Sequence, residues 1–116
     1  MHRRSKLLCK EGNLKEIKKF VTSKNRDNIL IYVCQFHHLH VVKYLVEEYG
    51  DSNFNDAIFP ACQFGHFEVV KYLVEKCGVN VANKNNYAVL LACRMGHLNI
   101  VRYLVETHGA DVYSNN

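Results

Sequence analysis

Three times in this chain a cysteine stands four residues before a histidine: Cys34/His38, Cys62/His66 and Cys93/His97, with His37 and His40 beside the first pair. Thiolate and imidazole are zinc ligands, and as a pair they can also serve as a nucleophile and its base. A tetrahedral site needs four converging donors, and the sequence comes nearest to that at Cys34, His37, His38 and His40. A Cys/His nucleophile would further need an orienting third group and an oxyanion site. No glycine-rich phosphate loop or paired acidic cleft accompanies these residues. The elements that must carry them speak against both chemistries.

The Cys/His spacing is one part of a longer phrase. ACQFGHFEVVKYLVEKCG begins at Ala61, ACRMGHLNIVRYLVETHG at Ala92, VCQFHHLHVVKYLVEEYG at Val33, and a fainter LCKEGNLKEIKKFVTSK at Leu8. Gly12, His37, Gly65 and Gly96 hold one column, in steps of 25, 28 and 31 residues. A recurrence of that length marks stacked units, not a globule with one central core. Three residues before that column stand Cys9, Cys34, Cys62 and Cys93. Two, five, eight and nine residues after it the four copies read Leu14, Ile17, Phe20, Val21; Leu39, Val42, Leu45, Val46; Phe67, Val70, Leu73, Val74; and Leu98, Val101, Leu104, Val105. These offsets share one helical face, with Lys18, Lys43, Lys71 and Arg102 on the other.

Each unit therefore reads as helix, tight turn at glycine, amphipathic helix. Glycine suits the turn because it takes positive φ without a Cβ clash. His37 fits it poorly, so the second turn is expected to be the most strained. The cysteines face the core while the histidines lie beyond the turn, so the donors diverge. Neighbouring units hold their cysteines roughly 10 Å apart, beyond the reach of about 7 Å that a disulfide allows. The thiols read as small core fillers in a reducing compartment, with Cys77, near a helix end, the most exposed. No metal, cofactor or enzymatic activity is expected.

The fourth unit, YAVLLACRMGHLNIVRYLVETHGADV, resembles the ankyrin repeat pattern TPLHLAAxxGHLEVVKLLLExGADVN, and the likeness runs from about Arg3 to Val112. The NNYAV lead-in and the KYLVE wording are similar to divergent repeats of giant viruses and amoebae. The resemblance implies an all-α ankyrin-type solenoid of four helix–turn–helix repeats, about 3–27, 28–55, 56–86 and 87–116, in a single domain of 1–116. The TPLH start is missing, replaced by NILI, DAIF and YAVL. The units fall short of the family's 33 residues, so the β-hairpin fingers should be reduced. Only Gly78 to Tyr87 is long enough to form one. In the family, His38, His66 and His97 would bond near the turn and start the second helix.

Composition agrees with a small array. The chain has 116 residues, 48% hydrophobic, and a formal charge of +4, enough apolar content to bury a continuous core. No run of about 18 apolar residues spans a membrane, and the basic start lacks the apolar run of a secretory signal. The expected location is intracellular and cytoplasmic, host cytoplasm if the source is viral. Pro60 is tolerated only in a first helical turn, so its helix should begin near Ala57–Phe59. Lys43/Glu47, Lys71/Glu75 and Arg102/Glu106 are i, i+4 pairs on the solvated face. The tyrosines Tyr44, Tyr72 and Tyr103 should bridge units.

Binding is expected in the pair of residues before each turn, which in ankyrin proteins lines the concave surface and meets the partner. Here Phe36, Phe64 and Met95 form an apolar row beside Gln35, Gln63 and Arg94, and aromatic, Met and Arg side chains favour interface centres. Asn85 and Tyr87, in the presumed finger, complete the candidate partner-binding set. The reading is an adaptor for another protein, with the basic N-terminal end steering an acidic partner. The alternatives are an electrostatic nucleic-acid binder, which lacks the usual aromatic platform, and a structural piece of a longer array. The last helix lacks a polar outer face, and a homodimer through it is one way to cover it.

Overall fold

The computed structural model describes residues 2–49 and 54–107. The chain forms helix pairs in sequence: α1 (Arg3–Glu11) with α2 (Leu14–Ile17), α3 (Arg26–Val33) with α4 (Leu39–Glu48), α5 (Ile58–Gln63) with α6 (Phe67–Cys77), and α7 (Asn83–Arg94) with α8 (Leu98–Arg102). A 3₁₀ turn, Asn55–Ala57, leads into α5, and a π-helical turn, Tyr103–Thr107, continues α8. No strand occurs among the described residues. The array measures 43 × 26 × 22 Å.

Local chemistry sets the helix ends. Gly12 takes φ 71°, its N–H bonds Cys9 O, and the N–H of Asn13 bonds Leu8 O, closing α1 with a Schellman motif. Asn13 then opens α2, its side chain accepting the Glu16 N–H at 3.2 Å. Between α2 and α3 the Thr22 N–H donates to Asn25 Oδ1 at 2.7 Å, and the Thr22 hydroxyl accepts from Lys24 and Asn25. Pro60 is the third residue of α5. That position has no intrahelical N–H bond to lose, and the helix starts where the proline requires.

The core is one ribbon that runs through all four pairs. Ile17, Val42, Leu45, Val70, Leu73, Ile100 and Leu104 are buried on the second helices, and Cys9, Cys34, Cys62, Ala61, Ala88 and Ala92 on the first. Small side chains on the first helices let them approach closely. No polar or charged residue is buried among the described residues, so the ribbon is purely apolar.

Four expectations need correction. Gly78 to Tyr87 makes no finger: Val79 turns into the core, the Asn80 N–H donates to Asn55 Oδ1, Asn80 Oδ1 accepts the Ala82 N–H, and the chain bends directly into α7. The start of α7 is itself irregular, with Lys84 and Asn86 at φ 55° and 63°. Cys93, not Cys77, is the exposed thiol, because no described unit stacks over it as one does over Cys9, Cys34 and Cys62. The turn at His37 avoids strain by staying out of the left-handed region, which among the described non-glycine residues only Lys84 and Asn86 enter. The i, i+4 pairs do not close to ion-pair distance. The Lys43 ammonium lies instead over the Tyr72 ring, and Glu75 accepts the Tyr103 hydroxyl at 2.7 Å.

Burial pushes the Cys9 thiol up to about 11 and the Cys62 thiol up to about 12 from an ordinary 9.0, and raises Cys34 further. These thiols stay protonated in the folded chain after the unfolded chain has ionised, so unfolding releases protons in that window. Their stabilisation is complete below pH 9.0 and lost as pH rises toward about 12. The urea midpoint should fall with that pH rise, each buried thiol adding up to about 1.4 kcal/mol per pH unit. Cys62→Ala should flatten the slope.

Candidate recognition surface

The turn of each unit is held by the histidine of the next. His38 Nε2–H donates to Lys10 O at 2.7 Å, His66 Nε2–H to Gln35 O at 2.6 Å, and His97 Nε2–H to Gln63 O at 3.0 Å. The three rings sit at the N-cap positions of α4, α6 and α8 yet make no capping bond to their own helices. Their work is between units, and each bond joins residues 28, 31 or 34 apart. His40, grouped in the sequence with Cys34, His37 and His38 as a possible donor, instead bonds Gly12 O at 3.0 Å.

Glycine is required under these rings for two reasons. Gly65 takes φ +79°, and a Cβ there would lie 2.6 Å from the His97 ring; Gly12 takes φ +71°, with the His38 ring 2.5 Å from such a Cβ. The second unit has no glycine to receive a ring flat on its backbone. Its His37 stacks obliquely on His38 at 4.5 Å and stands 6.2 Å from the His66 ring. The Cys/His pairs separate as the geometry demands, with Cys34 and Cys62 fully buried and His38 and His66 turned to the preceding unit. Among the described residues no three His, Cys, Asp or Glu side chains stand together as metal donors.

On the outer edge of the second helices a parallel set of rungs forms. The Lys18 ammonium sits 4.9 Å over the Tyr44 ring and that of Lys43 5.8 Å over the Tyr72 ring, while Tyr103 reaches Glu75. Burial first, and then the bond to Glu75, hold the Tyr103 hydroxyl well above the usual phenol range. The lysine and tyrosine columns were both visible in the sequence. Their pairing across units was not, because it joins two different columns.

The residues before the turns occupy corresponding places in units two to four. Phe64 is 48% and Met95 52% exposed, flanked by exposed Gln63 and Arg94. Phe36 and Gln35 are half-buried: the Phe36 ring meets Tyr32 edge-on at 5.4 Å, and the Gln35 carbonyl holds His66. Tyr87, 37% exposed, stands on α7 with its ring edge-on to Phe59. The Asn85 side chain lies outside the described residues.

A family model of ankyrin repeats (3 copies) matches residues 5–81 and again 50–116. The chain belongs to the ankyrin-repeat family. No curated protein matches it. As an ankyrin array it has short, strandless connectors among the described residues, and the histidine that opens each of the second helices α4, α6 and α8 bonds the turn of the preceding unit.

Gly65→Ala and Gly78→Ala separate the two roles of glycine. An added Cβ at Gly78 meets nothing within 4 Å, at φ +65°, so that change should cost only the left-handed penalty of about 1–2 kcal/mol. Gly65→Ala should cost roughly 1 kcal/mol more, because it also displaces His97 from its hydrogen bond. Urea denaturation of the two variants checks the difference.

Proposed function

We propose that this ankyrin array is an adaptor that binds a partner protein through the strip centred on Phe64 and Met95. Ankyrin repeats are in general protein–protein interaction modules, and the family is typically non-enzymatic. The observation that carries the reading is the exposure of two large apolar side chains, Phe64 and Met95, at one repeated position of the array. Isolated exposed apolar residues need no explanation; a row at unit spacing beside Gln63 and Arg94 has the composition of an interface centre. Phe36 and Gln35 form its half-sunk end, and Tyr87 its margin.

The basic first unit steers an acidic partner. Part of its charge is already engaged, Arg4 and Lys19 with Glu16 and Lys18 with Tyr44, which favours a protein partner over nucleic acid. The five cysteines are free thiols, and they support an intracellular, cytoplasmic setting. No helix among the described residues is long and apolar enough to cross a membrane.

The test compares affinity capture from native cells by the wild-type chain and by Phe64→Ala/Met95→Ala. Both side chains are exposed, so helical circular dichroism and the melting temperature should hold. Proteins captured by the wild type should be lost, with a weakening of about 2 kcal/mol or more, roughly thirtyfold. Equal capture by a folded variant would sink the strip.

A further inference from the structure

We propose that the exposed face of the first helices receives one amphipathic helix of a partner protein, apolar along its length and acidic at the end that lies over the first unit; this rests on the Phe64/Met95 reading and extends it to α1, α3, α5 and α7. Arg3, Lys6, Leu7 and Lys10 stand at i, i+3, i+4 and i+7 on α1, one face of a helix, and all four are exposed. Counted back from the turn column, the same places hold Asn28, Ile31, Tyr32 and Gln35 in the second unit, Asp56, Phe59, Pro60 and Gln63 in the third, and Tyr87, Leu90, Leu91 and Arg94 in the fourth. Among the described residues six large apolar side chains are exposed, and five of them, Leu7, Ile31, Phe64, Tyr87 and Met95, belong to this face or to the residue that ends it. Exposure gathered on one side is a surface rather than scatter.

The charge of this face is graded along the array. The first unit presents Arg3, Lys6 and Lys10 against one carboxylate, Glu11, which holds the place of Phe64 and Met95. The ion pairs of that unit use Arg4 and Lys19 instead. The second unit brings no charge to the face. In the third, Asp56 is matched by Lys84 at 3.5 Å; the same ammonium sits 5.4 Å over the Phe59 ring, which meets Tyr87 edge-on at 5.2 Å. The fourth adds Arg94. A complementary segment therefore carries its carboxylates at one end and apolar anchors along the remainder.

The form of that segment follows from the array. No strand, and so no sheet edge, occurs among the described residues for an extended partner to join, whereas an apolar groove suits an amphipathic helix. Three steps of about 10 Å separate the outermost first helices, roughly 30 Å in all, the length of a helix of about 20 residues. Single-stranded nucleic acid calls for cations interleaved with rings. Here three cations lie in the first unit and the rings in the second to fourth.

The test uses the full chain and fluorescence anisotropy with three labelled peptides of about 20 residues, each helical with leucine at i, i+3, i+4 and i+7. One gathers its glutamates at one end, one spreads the same glutamates along its polar face, and one has lysines in place of the gathered glutamates. The first should bind best, roughly tenfold tighter than the third at low salt, with the margin closing as salt rises. Lys6→Glu/Lys10→Glu changes exposed side chains only, keeps the Lys10 carbonyl for His38, and should reverse the order of the first and third peptides. Phe64→Ala/Met95→Ala should weaken all three. A photoreactive group at the glutamate end should label α1, and one at the other end α7. Equal affinity for gathered and spread glutamates, labelling of α1 from both ends, or tighter binding of a single-stranded oligonucleotide would overturn the proposal. So would binding of none of the peptides; if capture from cells still depends on Phe64 and Met95, the strip then stands without the helix. Loss of that dependence would overturn the strip, and this inference with it.

Discussion

The contact on which this structure depends is an imidazole reaching back over the turn of the preceding unit. A helix pair of this length cannot hide its apolar face alone, and short isolated helices are marginal in water. α2 has four residues and α8 five, so these helices persist because neighbours cover them. Apolar stacking supplies the bulk of that stabilisation but is nondirectional. The bonds of His38, His66 and His97 to Lys10, Gln35 and Gln63 fix where each unit sits on the last. They satisfy turn carbonyls that would otherwise compete for water, and in two units they demand a glycine beneath the ring.

The ladder explains which surface is left for binding. The second helices spend their charged side chains on the next unit's tyrosines, and the first helices face one another through small residues. The residues just before the third and fourth turns, Gln63, Phe64, Arg94 and Met95, stay exposed outside both contacts. Phe64 and Met95 are therefore exposed by the same geometry that buries Cys62 and Val70. The proposed recognition strip and the core are two faces of one repeat.

The helix pairs were legible because Val42, Leu45, Val70 and Leu73 fall at helical spacing and Gly12, Gly65 and Gly96 mark the turns. The missing fingers were not, because the fate of Gly78 to Tyr87 rests on Val79 entering the core and Asn80 bonding Asn55, contacts between distant residues. His37 misled for a related reason: a one-unit view of the turn expects strain, whereas the backbone there changes conformation instead. Cys93 differs from the other column cysteines through its neighbours alone, and no local pattern records a neighbour. Half of the proposed strip was readable as a row of types, but the unequal depth of Phe36 and Phe64 depends on Tyr32.

Site-resolved hydrogen exchange on the native chain tests the central claim most directly. If the units are held by their neighbours, amides of α3, α4, α5 and α6 should share one opening free energy, and α2 and α8 should exchange faster. His66→Ala should lower protection on both sides of its bond, in α3 and α6 together. Separate opening free energies for each helix pair, unmoved across the junction by loss of that histidine, would contradict the account.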